Sequence, residues 1–161
     1  MKYIAKNLEE TQKIAEDFVR TLCQRPPLTS GDGATIVGLY GELGSGKTSF
    51  TQGVAHALGI SENVVSPTFV IEKIYELKNT NPSGSEYQPV GLVFQHLIHI
   101  DAYRLEKSSE ALHLGWQEII ANPQNLILIE WPERVADIMP EHIRINFRHI
   151  ENEQREIEII T

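Results

Sequence analysis

The run from Ala34 to Leu58 limits the fold more than any other segment of the chain. Ala34–Tyr40 is compact, apolar and rich in β-branched residues (Thr35, Ile36, Val37), the composition of a buried strand. Gly41-Glu42-Leu43-Gly44-Ser45-Gly46-Lys47-Thr48 follows directly. Lys47–Leu58 then reads as a helix with Phe50, Val54, Ala57 and Leu58 available to a core, and Gly59 is a suitable stop.

The glycine-rich stretch fits G-x-x-x-x-G-K-[ST], and its setting between a strand and a helix is the one that gives this pattern meaning. Glycines allow backbone turns that a β-carbon opposes. Successive amides then converge into an anion cradle, and the helix start behind them adds a positive dipole end. The candidate nucleotide-binding residues are Glu42, Leu43, Gly44, Ser45, Gly46, Lys47, Thr48 and Ser49. Lys47 can reach β- and γ-phosphates, and the Thr48 hydroxyl suits a Mg²⁺ ligand. A nucleoside phosphate with Mg²⁺ is the expected ligand pair.

A phosphate loop needs an acid at the end of a neighbouring strand. Two candidates are present, Asp101 after Leu97–Ile100 and Glu130 after Leu126–Ile129. Ligands of open α/β sheets bind at the carboxyl ends of strands, so both acids are placed for the site. Residue type alone leaves open which one meets metal and which orients water. Lys47, Asp101 and Glu130 are the candidate catalytic residues. Glu133 is read as a helix-start acid. His99 is either a packed strand histidine or a site residue, and Trp131 is read as core. No Cys/His set at zinc spacing accompanies His99.

Elsewhere, Lys2–Ala5 reads as a short strand. Asn7 and Glu10 open a helix over about Leu8 to Cys23 in a capping-box pattern. Pro26 and Pro27 end that helix, and Thr29 to Gly33 make a turn. Phe69–Tyr75 and Gly91–Ile100 read as strands, Ser108–Leu114 and Trp116–Ala121 as short helices, and Leu126–Ile129 as a strand covered on both faces. Ile143, Ile145 and Phe147, then Ile157 and Ile159, alternate at period two and predict an antiparallel hairpin. Residues 78–89 (KNTNPSGSEYQP) read as a mobile loop insertion in a single domain spanning 1–161. The expected class is α/β, a three-layer sandwich with a mainly parallel central sheet and antiparallel hairpin strands.

A chain of 161 residues with 41% apolar composition can build a core without staples. Its net charge of −8, with Lys and Arg scattered, argues against autonomous nucleic-acid binding. No stretch reaches the ~20 apolar residues of a membrane span. The single cysteine, Cys23, reads as a structural thiol, and the absence of a secretory h-region after Met1 points to a cytoplasmic chain.

Four segments together resemble one family: the glycine loop 41–48, Ser66-Pro67-Thr68-Phe69, His99-Ile-Asp101-Ala-Tyr103-Arg104-Leu105, and Glu130-Trp131-Pro-Glu133. Their order and spacing resemble TsaE (formerly YjeE), the small bacterial ATPase of tRNA threonylcarbamoyladenosine biosynthesis. The resemblance implies a P-loop NTPase-like fold and a Mg²⁺-dependent ATPase, weak alone. It implies action with TsaD and TsaB on the adenosine next to the anticodon of tRNAs reading ANN codons, with tRNA met indirectly through that complex. It also implies that Thr48 and Glu130 hold Mg²⁺, that Asp101 lies near the γ-phosphate, that Ser66, Pro67 and Thr68 form a switch loop, and that Thr11 lies near the adenine. Residues 78–89 are longer than the family pattern, and Ser45 stands where alanine is frequent. Two other functions compete on the residues alone, a P-loop small-molecule kinase and a nucleotide-dependent binding module without useful hydrolysis. Arg134, Arg144, Arg148 and Arg155 fall on different elements, which disfavours a kinase lid. An N-K-x-D guanine signature is lacking, which disfavours a GTPase.

Overall fold

The computed structural model describes residues 1–24, 33–62, 64–67, 71–77 and 94–160. The loop at 78–89, the prolines at 26 and 27, Thr68 and Phe69 fall outside these residues, so the expectations placed on them lie there too.

Strands β1 (Lys2–Ala5), β2 (Thr35–Tyr40), β3 (Glu72–Glu76), β4 (His96–Asp101), β5 (Asn125–Glu130), β6 (Ile143–His149) and β7 (Arg155–Ile160) form one sheet in the order β1-β7-β6-β2-β5-β4-β3. The neighbours β6/β2, β2/β5 and β5/β4 are parallel, whereas β1/β7, β7/β6 and β4/β3 are antiparallel. Helices α1 (Leu8–Gln24), α2 (Lys47–Ala57), α3 (Ser108–Leu112) and α4 (Trp116–Ala121) complete the fold, with 3₁₀ turns at Ala102–Arg104 and Pro132–Val135. Among the described residues no helix is long and apolar enough to cross a membrane.

Alternation along the central strands builds two cores. Val37, Leu39, Leu97, Leu126 and Leu128 meet α1 and α2 through Phe18, Val19, Phe50 and Val54. Ile36, Ile98, Ile100, Ile127 and Ile129 meet Leu105, Ala111, Trp116 and Val135 on the other face. Both faces of β2 and β5 are therefore buried, which is why these strands are apolar at nearly every position. The result is the three-layer α/β sandwich that the sequence predicts.

Two strands differ from their expected bounds. Ile71 has φ 69° and donates its N–H to the Pro67 carbonyl, so extended structure begins only at Glu72. The next strand begins at His96, five residues after Gly91, and runs to Asp101. In the helix cap, Asn7 Oδ1 accepts from the Glu10 N–H at 2.9 Å, while Glu10 Oε2 accepts from Lys6 N at 2.8 Å, one residue earlier than a capping box requires.

Cys23 is half-buried at the end of α1, and burial pushes its thiol up to about 11. Little thiolate exists near neutrality, consistent with a structural role.

Helix α1 lies close on α2, and the Phe50 ring meets Phe18 at a tilt and Phe147 edge to face, with centroids 5.7 and 5.5 Å apart. The approach is tightest at Gly53, where a β-carbon would stand 2.7 Å from Ala15 Cβ and 3.0 Å from Gln12 Cα. Gly53→Val is expected to destabilise the fold by about 1–3 kcal/mol through overpacking, read as a lower urea midpoint.

Candidate functional site: a phosphate loop between two strand-ending acids

The parallel register brings the carboxyl ends of β2, β5 and β4 together. Glu130 lies opposite Leu39 on one side and Asp101 on the other. The chain that leaves β2 thus turns directly beside both acids.

That turn is a close fit. Gly41 has φ 150°, and a β-carbon there would come within 2.5 Å of the Phe147 carbonyl and 2.8 Å of Ser45 Oγ. Helix α2 starts at Lys47, behind the loop. A pocket of ≈ 520 Å³ opens over it. Gly44, Gly46, Lys47, Thr48 and Ser49 form its floor, and Leu43 also lines it. Glu42 and Ser45 do not line it. The Glu42 side chain is exposed, although its carbonyl faces Lys47, and Ser45 Oγ is buried with no hydrogen bond among the described residues.

Lys47 is buried and donates to the Gly41 and Glu42 carbonyls at 2.6 and 2.9 Å. Its ammonium also stands 4.1 Å from the Trp131 ring centroid, a cation–π contact. Burial lowers its pKa, and the negative charges of Glu130, Glu133, Asp101 and Glu42 work against that shift.

The Thr48 hydroxyl donates to Glu130 Oε1 at 3.0 Å, with Oε2 at 3.2 Å. Glu130 Oε1 also accepts from His99 Nε2 at 2.9 Å. A carboxylate only accepts, so His99 carries its proton on Nε2. Its Nδ1 is buried with no partner among the described residues. His99 is thus a fully buried strand histidine that does not line the pocket and touches it only through its hydrogen bond to Glu130. Asp101 is oriented from two sides: Ser66 Oγ donates to Oδ2 at 2.6 Å, and the Tyr103 N–H donates to Oδ1 at 3.0 Å.

Thr11 lines the pocket from α1, and Ser66 and Asp101 line it from the opposite flank. Pro67 is buried and does not line it. Glu133 sits exposed in the first turn of a 3₁₀ segment, as a helix-start acid should. Trp131 departs from its expected place in the core. Only half-buried, it packs on Tyr103 with ring centroids 5.1 Å apart and faces the pocket as well as the second core. Asn7, Leu8, Tyr103, Glu153 and Arg155 also line the site, and none was a candidate. Asn7 and Tyr103 stood inside patterns already singled out, whereas nothing local marks Glu153 or Arg155.

The donor set suits a hard cation. Thr48, Glu130 and Asp101 bring hydroxyl and carboxylate oxygens to one wall, the ligand type Mg²⁺ prefers. Among the described residues no group of three His, Cys, Asp or Glu side chains is arranged to hold a metal by itself.

A glycine loop from strand to helix, on a mainly parallel sheet with a neighbouring carboxylate on the loop threonine, defines a P-loop NTPase-like α/β protein. The family model described as "Threonylcarbamoyl adenosine biosynthesis protein TsaE" matches residues 5–157, and the chain belongs to the TsaE family. It is similar to the tRNA threonylcarbamoyladenosine biosynthesis protein TsaE of Bacillus subtilis (strain 168), with 35% identity over 158 residues, 98% of this chain and 83% of that protein. The TsaE of Rickettsia felis is 32% identical over 160 residues, covering 98% of this chain and 78% of that protein. The crystal structure of Bacillus subtilis YdiB superposes with a TM-score of 0.67 at 27% identity, covering 99% of this chain and 83% of that one.

His99→Ala would open a cavity and leave the buried Glu130 with one donor fewer. The expected loss of stability is about 2–5 kcal/mol, measured by urea unfolding.

Proposed function

We propose that this chain is a Mg²⁺-dependent ATPase required for threonylcarbamoylation of the adenosine beside the anticodon in tRNAs reading ANN codons, acting with TsaD and TsaB. Membership of the TsaE family supports the pathway. One observation carries the chemistry: the loop threonine and the strand-ending acid, 82 positions apart, are hydrogen-bonded at 3.0 Å at the floor of the pocket.

In this reading the loop amides bind the β-phosphate. Lys47 exchanges the Gly41 and Glu42 carbonyls for phosphate oxygens, which offer it a full negative charge. Thr48 and Glu130 would hold Mg²⁺, which would offset phosphate charge there. Asp101, fixed by Ser66 and the Tyr103 amide, orients the attacking water. The bond from water oxygen to γ-phosphorus forms as the bond to the ADP oxygen breaks. Glu130 is assigned to the metal instead, because its carboxylate already meets the loop threonine. Ser66, Pro67 and Thr68 act as a switch, since a γ-phosphate beside Asp101 competes with that carboxylate for the Ser66 hydroxyl proton. Thr11 faces the nucleoside. The reaction takes place in the cytoplasm and meets tRNA only through the partner complex.

ATP hydrolysis, measured alone and with TsaB plus TsaD, tests the reading. The expected result is slow turnover alone, a rise with both partners, and loss of both in Lys47→Ala. Phosphate transferred to a small acceptor would mark a kinase, and tight binding without stimulated turnover a binding module.

Thr48→Ala should weaken ATP binding more in Mg²⁺ than in EDTA, with the magnesium-dependent gain falling about tenfold or more. Equal losses in both titrations would take Thr48 out of the metal shell.

A further inference from the structure

Arg155 is the one guanidinium lining the pocket among the described residues, and the proposed reaction has not used it. It is the first residue of β7, paired with Ala5 of β1 and His149 of β6. β7 is antiparallel to β6, and β6 is parallel to β2, so the start of β7 lies at the same end of the sheet as the glycine loop. Its flank is the opposite one from the acids. In the strand order, β7 lies two places from β2 on one side, while β5 and β4, which carry Glu130 and Asp101, lie on the other.

The side chain reaches back along the loop. A β-carbon on Gly46 would meet Arg155 Cγ at 3.8 Å, Cδ at 3.9 Å and Nε at 4.0 Å. The stem is thus packed alongside the residue that opens α2. The guanidinium is half-buried, and its one hydrogen bond among the described residues runs from Nη1 to the Gln154 carbonyl at 3.3 Å. No described carboxylate forms an ion pair with it, although the exposed Glu153 lines the same flank. An arginine stays protonated and carries five donors, so most of its capacity here is unspent.

We propose that Arg155 binds the α/β-phosphate portion of the nucleotide, closing the loop's anion cradle from the side away from the acids. The proposal rests on the ATP-site reading given above. Lys47, between the two flanks, serves the β- and γ-phosphates, and Arg155 takes the charge that the loop leaves facing β7. A guanidinium fork fits two phosphate oxygens together, which an ammonium does not.

Calorimetric titration of the full chain with ATP, ADP, AMP and adenosine tests this, comparing the unaltered protein with Arg155→Ala, Arg155→Gln and Arg155→Lys. Circular dichroism and melting temperature identify folded variants, and the Gln variant carries the comparison should the Ala variant melt early. Arg155→Ala is expected to weaken ATP and ADP alike by about tenfold or more, to leave adenosine unchanged, and to be partly restored by Arg155→Lys. Unchanged ADP affinity overturns the assignment. So does a loss of affinity confined to ATP, which puts the guanidinium on the γ-phosphate, or an equal loss for adenosine, which puts it on the nucleoside. A chain that binds no nucleotide at all sinks the ATP-site reading itself. One that binds normally with an indifferent Arg155→Ala sinks only this assignment.

Discussion

The hydrogen bond from the Thr48 hydroxyl to the Glu130 carboxylate is the constraint on which the site depends. It ties the first turn of α2 to the end of β5, so the glycine loop cannot shift without moving the central sheet. The bond exists because β2 and β5 run parallel with Leu39 opposite Glu130. A strand slipped by one residue would turn the Glu130 side chain to the other face of the sheet. Burial of both strand faces resists that slip, since Val37 and Leu39 belong to one core and Ile36 to the other. The apolar strands are therefore also what aims the chemistry.

Electrostatics follow from the same geometry. Two buried carboxylates, Asp101 and Glu130, end adjacent parallel strands, and like charges side by side are costly unless donors or cations meet them. Here they are met by Ser66, the Tyr103 amide, Thr48 and His99. Lys47 is drawn toward the same acids, yet its direct bonds go to loop carbonyls. The ammonium thus sits on weak partners within reach of strong ones, a state that an incoming anion can readily change.

Much of this was legible in the chain because the signals are local. β2, the glycine loop and α2 are contiguous, and β5 declares itself by four consecutive apolar residues, Leu126 to Ile129. The acids could be placed at strand ends, but not joined to Ser66 or His99, because those contacts depend on the register of β4 with β5 and on the path into β3. The start of β3 was misread because alternation from Phe69 onward looks extended, whereas Ile71 adopts a left-handed turn that no β-branched residue advertises. Trp131 was assigned to the core on size, and its half-exposed position over Lys47 comes from a left-handed backbone at φ 59°. Arg155 carried no signal at all: only the β1-β7-β6 pairing brings residue 155 beside residue 46.

The same topology separates the two jobs of the pocket. Strands on one side of β2 end in acids with fixed donors, so that flank suits an ion, a water and the bond to be broken. Strands on the other side bring an arginine and the start of α1, a flank suited to holding what remains after the bond breaks. In the proposed reading, release of the γ-phosphate would return the Ser66 hydroxyl to Asp101 while the β7 side still holds what remains. Ser66 precedes β3, one of the two edge strands of the sheet, so in that reading the γ-phosphate acts on the segment that leads to the sheet's rim.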